Sequence, residues 1–455
     1  MSETADTSKL LRISLLIIAA ILVWRITANG MTRLYSKDPG TDTAASADKA
    51  LTWYGDNPVA LQALGTSLTE DDPEAALRLL RESIGGDPAN GRTVLALARL
   101  EATGDNTGET DRLVNIGTEL MPTKADVREA AAAYWLEREQ LDEAVRNWSA
   151  AMISNPARER ELFPVFLKIA EDPEVRPALS PVTRDPPPWW ERFFAFTARR
   201  AVDVETLSAL YAMRRASDVP LTPEERLQFI ARLQKDQRWA QAYIAWLSSL
   251  GRDERRSLGL LNHGDFEREF SNAGFDWHLT PVDGIRVTRG QTYGVSGEKA
   301  LHLVFQGERL RYRHLYQPLY LAPGWYSLRG LVRSDSLATR GGIQWTVSCT
   351  EGDKQPLAQS PRFLGTVEWQ NFSTEFFVPG EKCGGQEIRL VSVGQRSLDH
   401  QIKGAIWFDD LSIRSLRERN LALIEEYKAT LVGPPEPNPT PPQAHRTNLD
   451  ETQNP

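Results

Sequence analysis

The hydrophobic pattern divides the chain into unlike stretches. Ile13 to Trp24 reads ISLLIIAAILVW, twelve residues without a charge. From about residue 50 to 261 apolar residues recur at helical spacing, as in TPEERLQFIARL and RWAQAYIAWLSSL. At Asn262 the texture changes. Short alternating runs such as LHLVF, IQWTVSC, EIRLVSV and AIWFDDLSI now alternate with Gly and Pro turns, which predicts an antiparallel β-sandwich of eight or more strands. Residues 417–432, RERNLALIEEYKATLV, return to helical spacing, and 433–455 hold seven prolines among polar residues. That last stretch predicts an extended or disordered tail.

The first apolar run is short, since a full span needs roughly 20 residues. Arg12 and Arg25 flank it and can snorkel to the two interfaces. Residues 10–28 are therefore expected to form a single transmembrane anchor, with 1–9 cytoplasmic and 29–49 a linker. A cleaved signal peptide is the alternative. Ile26-Thr27-Ala28 puts a bulky residue where cleavage wants a small one, which favours the anchor. Charge does not orient the span: Lys9 and Arg12 on one side face Arg25, Arg33 and Lys37 on the other.

In the helical stretch, Pro88, Pro122 and Pro156 fall 34 residues apart. Twelve residues before each stand Ala76, Thr110 and Ala144. Eight before stand Leu80, Val114 and Trp148, and five before stand Ser83, Gly117 and Ala151. The preceding helices match at Leu64, Ala98 and Ala132. Small side chains where helices cross and a closing proline resemble the tetratricopeptide repeat. The resemblance implies an all-α solenoid over 50–261, with units at 57–90, 91–124 and 125–158. Such a solenoid offers a concave face to protein partners. Trp135, Trp148, Trp239 and Trp246 would line that face or, more ordinarily, fill the core between helices. Thr222-Pro223-Glu224-Glu225 reads as a helix start.

The β-region, 262–416, resembles a carbohydrate-binding-module jelly roll of the galactose-binding-like type. The residues carrying this are Asn262-His263-Gly264-Asp265-Phe266-Glu267, Gly297-Glu298-Lys299-Ala300-Leu301, the run Gln317 to Tyr326, and Trp407-Phe408-Asp409-Asp410-Leu411-Ser412-Ile413. The resemblance implies a structural calcium held by Glu267 and Asp410, with Asp409 or backbone oxygens near Lys299 assisting. Turn caps or arginine partners are the plain alternative for these acids. It also implies glycan binding through aromatic faces and planar polar groups. Candidates are Trp277, Tyr293, Tyr312, Tyr316, Trp345 and Trp369. Arg309, Arg311 and Arg313 would share one face if they lie on a strand, and would grip an anionic glycan. A solvated edge strand is the alternative. Trp325 and Trp407 are expected in the core.

Composition adds limits. The 455 residues carry 53 Lys+Arg and 61 Asp+Glu, a net charge of -8. That balance gives no reason to expect nucleic acid as a partner. The β-region carries 17 basic and 17 acidic residues, so the acidic excess lies elsewhere. The two cysteines exclude a multi-cysteine zinc framework, and both, Cys349 and Cys383, fall in the β-region, where an oxidising compartment would let them pair. No nucleophile elbow, phosphate loop or HExxH is present, so a non-enzyme needing no cofactor is expected. The whole is a multidomain chain: anchor, all-α solenoid, all-β jelly roll, helix and tail. This combination resembles bacterial envelope proteins of exopolysaccharide assembly. It implies an inner-membrane, single-pass scaffold with its bulk in the periplasm, binding polymerisation or export proteins and polysaccharide. A purely protein-binding assembly factor is the rival reading, and a glycan-processing enzyme a third.

Overall fold

A computed structural model describes residues 23–24, 27, 43–102, 107–295, 297–352 and 355–423. The chain divides into two compact units, Met1–Phe229 and Ile230–Pro455. The expected anchor lies outside the described residues except at Val23, Trp24 and Thr27, and the proline-rich tail lies wholly outside them. Among the described residues no helix is long and apolar enough to cross a membrane.

Among its described residues the first unit is all helical. α1 (Thr43–Trp53), within the expected linker and just beyond it, precedes three helix pairs. These are α2 (Pro58–Ser67) with α3 (Pro73–Gly86), α4 (Gly91–Glu101) with α5 (Thr107–Leu120), and α6 (Ala125–Glu137) with α7 (Leu141–Ser154). Asn57 caps α2, its side chain accepting the amides of Val59 and Ala60 ahead of Pro58 at the first position. The small-residue positions Ala76, Thr110 and Ala144 are all buried. Gly91 and Gly117 let α4 and α5 meet: a Cβ on Gly91 would sit 2.2 Å from the Gly117 carbonyl oxygen.

Beyond these pairs come α8 (Glu159–Glu171), α9 (Ser180–Arg184), α10 (Trp190–Arg200) and α11 (Val204–Arg215). Their core is aromatic, with Phe163, Phe166, Trp189, Trp190 and Phe193 buried together. Trp135 is buried, and Trp148 packs against Phe166, so both tryptophans serve the helix core. α12 (Pro223–Lys235) starts as expected: Glu225 N–H donates to the Thr222 hydroxyl and Thr222 N–H donates to the Glu225 carboxylate.

The second unit starts within α12, at Ile230, and continues with α13 (Trp239–Ser249), α14 (Arg252–Arg256) and, among the described residues, ten strands. Sheet A has the order β1-β4-β9-β6-β7, made of His278–Leu279, Leu315–Leu319, Gln386–Ser392, Ile343–Cys349 and Pro356–Gln359. Sheet B has the order β2-β3-β10-β5-β8, made of Ile285–Gln291, Lys299–Arg309, Gln401–Ser415, Gly324–Ala338 and Gly365–Val378. All pairings are antiparallel, and the two inner faces close a jelly-roll core around Leu303, Phe305, Leu328, Trp345, Ile388 and Phe408.

The unit begins ahead of the texture change at Asn262 because α13 lies on the sandwich. Trp239, Tyr243 and Trp246 all meet Phe275, and Tyr243 also meets Tyr320. The Trp239 indole N–H donates to Glu351 at 2.9 Å, and a Cβ on Gly385 would lie 2.1 Å from its ring. Trp239 and Trp246 are thus buried against strand-end loops.

Candidate functional site

Strand alternation fixes what each sheet shows outward. On β9, Ile388 and Leu390 point into the core, so Arg389 points out. Register then aligns one residue from each strand of sheet A. His278 pairs with Tyr316, Tyr316 with Arg389, Arg389 with Thr346, and Thr346 with Gln359. His278 and Tyr316 stack at 4.9 Å, 11° from parallel, and the Arg389 guanidinium lies 4.2 Å over the Tyr316 ring. Because β1 and β9 flank β4 on opposite sides, both faces of Tyr316 are covered and its hydroxyl edge is what remains. Arg389 is held by the two Glu387 carboxylate oxygens at 2.5 and 2.7 Å and donates to the Arg313 carbonyl. One row along, Gln344 donates to the Gln359 side-chain oxygen. Planar polar groups are thus pre-set along the sheet.

Sheet B shows the same order of groups. His302, Trp407 and Arg333 are register neighbours on β3, β10 and β5. His302 and Trp407 stack at 3.5 Å, 6° from parallel. Arg333 lies 5.9 Å from the Trp407 ring and 4.8 Å from that of Tyr293. Gly290 makes room, for a Cβ there would lie 3.0 Å from the Trp407 ring. Burial lowers the pKa of both His278 and His302, and Arg286 and Arg333 lower His302 further.

The nine glycan candidates separate. Trp277 and Trp345 are fully buried and Tyr312 is 1% exposed, all in the core. This corrects their placement on a sugar-facing surface: with no open face none can stack on a sugar. The Trp277 indole N–H is spent on the His263 carbonyl. Burial also raises the pKa of Tyr312. Tyr316 lies on the outer face of sheet A, and Tyr293 and Trp369 lie beside that of sheet B. Arg309, Arg311 and Arg313 do not share a strand face, because β3 ends at Arg309 and 310–314 is an irregular link to β4. Trp407 and Trp325 are a second correction. Both face outward, Trp407 opposite the inward pair Ile406 and Phe408, and Trp325 against Phe377 with Arg419 over its ring.

Cys349 and Cys383 form a disulfide, joining the end of β6 to the link before β9. It underlies the seat of Trp239, since Glu351 and Gly385 lie two residues beyond the two cysteines.

Glu267 and Asp410 both border a cleft of about 790 Å³. One Glu267 oxygen already accepts the amides of Glu298 and Lys299, at 2.7 and 2.9 Å. Both amides thus use the same one of the two Glu267 oxygens. Asp409 is buried, while Asp410 sits at positive φ (49°) on a bulge of β10. Burial, and then Asp265, raise the pKa of Asp410. Among the described residues no group of three His, Cys, Asp or Glu side chains is placed to hold a metal.

No family model matches the chain, and no curated protein matches it in sequence. Among solved structures the sandwich is similar to a CBM4 protein, at 15% identity over 34% of this chain and 99% of that one, with TM-score 0.26. It is also similar to TmCBM61, solved with β-1,4-galactotriose, at 19% identity over 35% and 99%, TM-score 0.25. A third is the CBM22-1 xylan-binding domain of a Paenibacillus barcinonensis protein, at 15% identity over 34% and 92%, TM-score 0.24.

Arg389, Glu387, His278, His302 and Arg333 were not singled out from the sequence. Alternation alone places Arg389 outside, since EIRLVSV sets it between Ile388 and Leu390. What alternation does not give is the neighbour across the strand.

Proposed function

We propose that the chain is a non-catalytic glycan-binding scaffold of the bacterial envelope, with the outer face of sheet A as its sugar site. The observation that carries this is the aligned row His278–Tyr316–Arg389–Thr346–Gln359. With strands about 4.8 Å apart, five strands give a polar track roughly 19 Å long. Sugar hydroxyls need planar donors and acceptors held in place, and Arg389, Glu387 and Gln359 are each fixed by a neighbour. Fixed groups lose little entropy on binding.

The wider reading is membrane anchoring through 10–28, the bulk of the chain in the periplasm, and helices that recruit polysaccharide polymerisation or export proteins. The apolar run, the helical repeat spacing and the disulfide support it. The solenoid is read as tetratricopeptide-like on the 34-residue spacing.

The test is titration of the full chain with the producing cell's extracellular polysaccharide. Binding that falls about tenfold or more in Arg389→Ala and Tyr316→Ala supports the sugar site. Absence of binding by the unaltered chain overturns it in favour of a purely protein-binding assembly factor. Gene deletion that leaves surface polysaccharide unchanged overturns the assembly role.

A further inference from the structure

The stack on sheet B does not belong to the sugar site proposed on sheet A; it faces the opposite way. Four planar groups follow one another across it: His302, Trp407, Arg333 and Tyr293. Trp407 has both faces covered, by His302 and by Arg333. Tyr293 ends the stack. The residue is 62% exposed, and Arg333 lies over one face of its ring, which leaves the opposite face as the one a ligand could meet. Arg333 is itself steadied by donation to the Thr292 hydroxyl at 3.2 Å, and the Tyr293 hydroxyl reaches Glu368 at 3.4 Å.

Beside Tyr293 stands Trp369. Gly294, at φ +74°, carries the chain past it: a Cβ there would lie 3.0 Å from the indole. Positive φ and this close approach both favour glycine. The result is that the turn carrying Tyr293, between β2 and β3, passes against Trp369 of β8. The Trp369 indole N–H is buried and, among the described residues, has no hydrogen-bond partner, so what Trp369 offers outward is ring surface.

The surface continues into a cavity. One outward step along β5 and β8 from Arg333 and Trp369 are Leu331 and Asn371, paired in register. Both line the cleft of about 790 Å³, with Arg329, Arg414 and Asp410 further along. Two residues of strand advance about 7 Å, about the length of one sugar ring. Five carboxylates (Asp253, Glu254, Asp265, Glu267 and Asp410) and three guanidiniums line the cleft, a balance that disfavours an anionic ligand.

We propose that the outer face of sheet B is a second carbohydrate-binding face, for an uncharged oligosaccharide, with one sugar ring on the open face of Tyr293 and its neighbours running toward the cleft. The C–H face of a pyranose suits the negative face of an aromatic ring, and Asn371 and Arg329 supply polar contacts for hydroxyls. The proposal rests on the reading of the sandwich as a glycan binder but uses a different surface.

The experiment is hydroxyl-radical footprinting of the full chain. The probe is the neutral oligosaccharide fraction cut from the producing cell's extracellular polysaccharide. The chain is examined unaltered and as Arg389→Ala, which disables sheet A. Protection of Tyr293 and Trp369 in both forms, lost from Trp369 in Tyr293→Ala, is expected. Protection of 315–319 and 386–392 in the unaltered chain, with none at Tyr293 or Trp369, overturns this proposal and leaves the first site standing. Protection at Tyr293 that vanishes in Arg389→Ala also overturns it, since the two faces would not be independent. Protection nowhere overturns both.

Discussion

His302 and Trp407 lie face to face on adjacent strands, ring centroids 3.5 Å apart and planes 6° from parallel. Protonating His302 there means placing charge in a half-buried stack beside Arg333. Its pKa is lowered from 6.5 by burial and by Arg286 and Arg333, and burial lowers His278 likewise. The unfolded chain therefore binds protons more readily than the folded one. Stability should be full above the ordinary histidine range and fall as pH drops below about 6.5. The urea midpoint should be lower at pH 5.5 than at pH 7.5, and His302→Gln should shrink the difference. An unchanged difference would count against the stack as its source.

In the helical unit, Arg214 and Glu225 are both fully buried and paired at 2.8 Å. Glu225 also accepts the Trp190 indole N–H, and Arg214 donates to the carbonyls of Thr183, Val219 and Pro220. Removing one partner leaves the other charged and dry. Glu225→Ala should cost about 3–5 kcal/mol in chemical unfolding, and Arg214→Leu a comparable amount. The double change Arg214→Met with Glu225→Leu should recover part of the loss. Single changes costing under about 1 kcal/mol would show that water reaches the pair.

The disulfide closes a loop with a sequence separation of 34. Chain-entropy arguments assign such a bond about 3–4 kcal/mol. It also ties together the two loops that receive Trp239. Cys349→Ser with Cys383→Ser should lower stability by that order and shift Trp239 emission to the red, measured against Trp239→Phe in the same background. Lost stability without an emission change would separate the staple from the seat.

Chelation should leave the melting temperature unchanged, because one Glu267 oxygen is already taken by two amides and, among the described residues, no three acidic, histidine or cysteine side chains converge there. Glu267→Gln should be destabilising with or without millimolar calcium, since the charged acceptor of both amides is weakened. A melting temperature that rises with calcium and falls with chelator would overturn this reading and restore a metal to the cleft.

Periodicity made the order of architectures legible, helices and then a sandwich, and the 34-residue spacing placed the helix pairs. Single side chains were less legible. WFDDLSI suggests a core strand, and Phe408 is indeed inward, but Trp407 is one residue away and so faces out. The bulge after Asp409 then returns Leu411 and Ile413 to the core, a break in alternation that nothing in the composition announces. RLRYRH alternates as a strand should, yet the chain leaves sheet B at Arg309 and joins sheet A at Leu315. Trp277 and Trp345 failed as sugar platforms for a general reason. Large aromatics bury the most apolar surface, so a sandwich core claims them first. The rows His278–Tyr316–Arg389 and His302–Trp407–Arg333 join residues far apart in sequence, and only strand register brings them together.

Trp239 resting on Gly385 bears on where the protein can be cut. A fragment starting at Asn262 keeps every strand but uncovers Phe275, Tyr320 and the Gly385 turn, which α13 otherwise shields from water. Such a fragment should be sticky and should bind hydrophobic dyes, whereas one starting at Ile230, which keeps α13, should bind them less. Autonomy of the sandwich thus depends on a helix that its own strands do not encode.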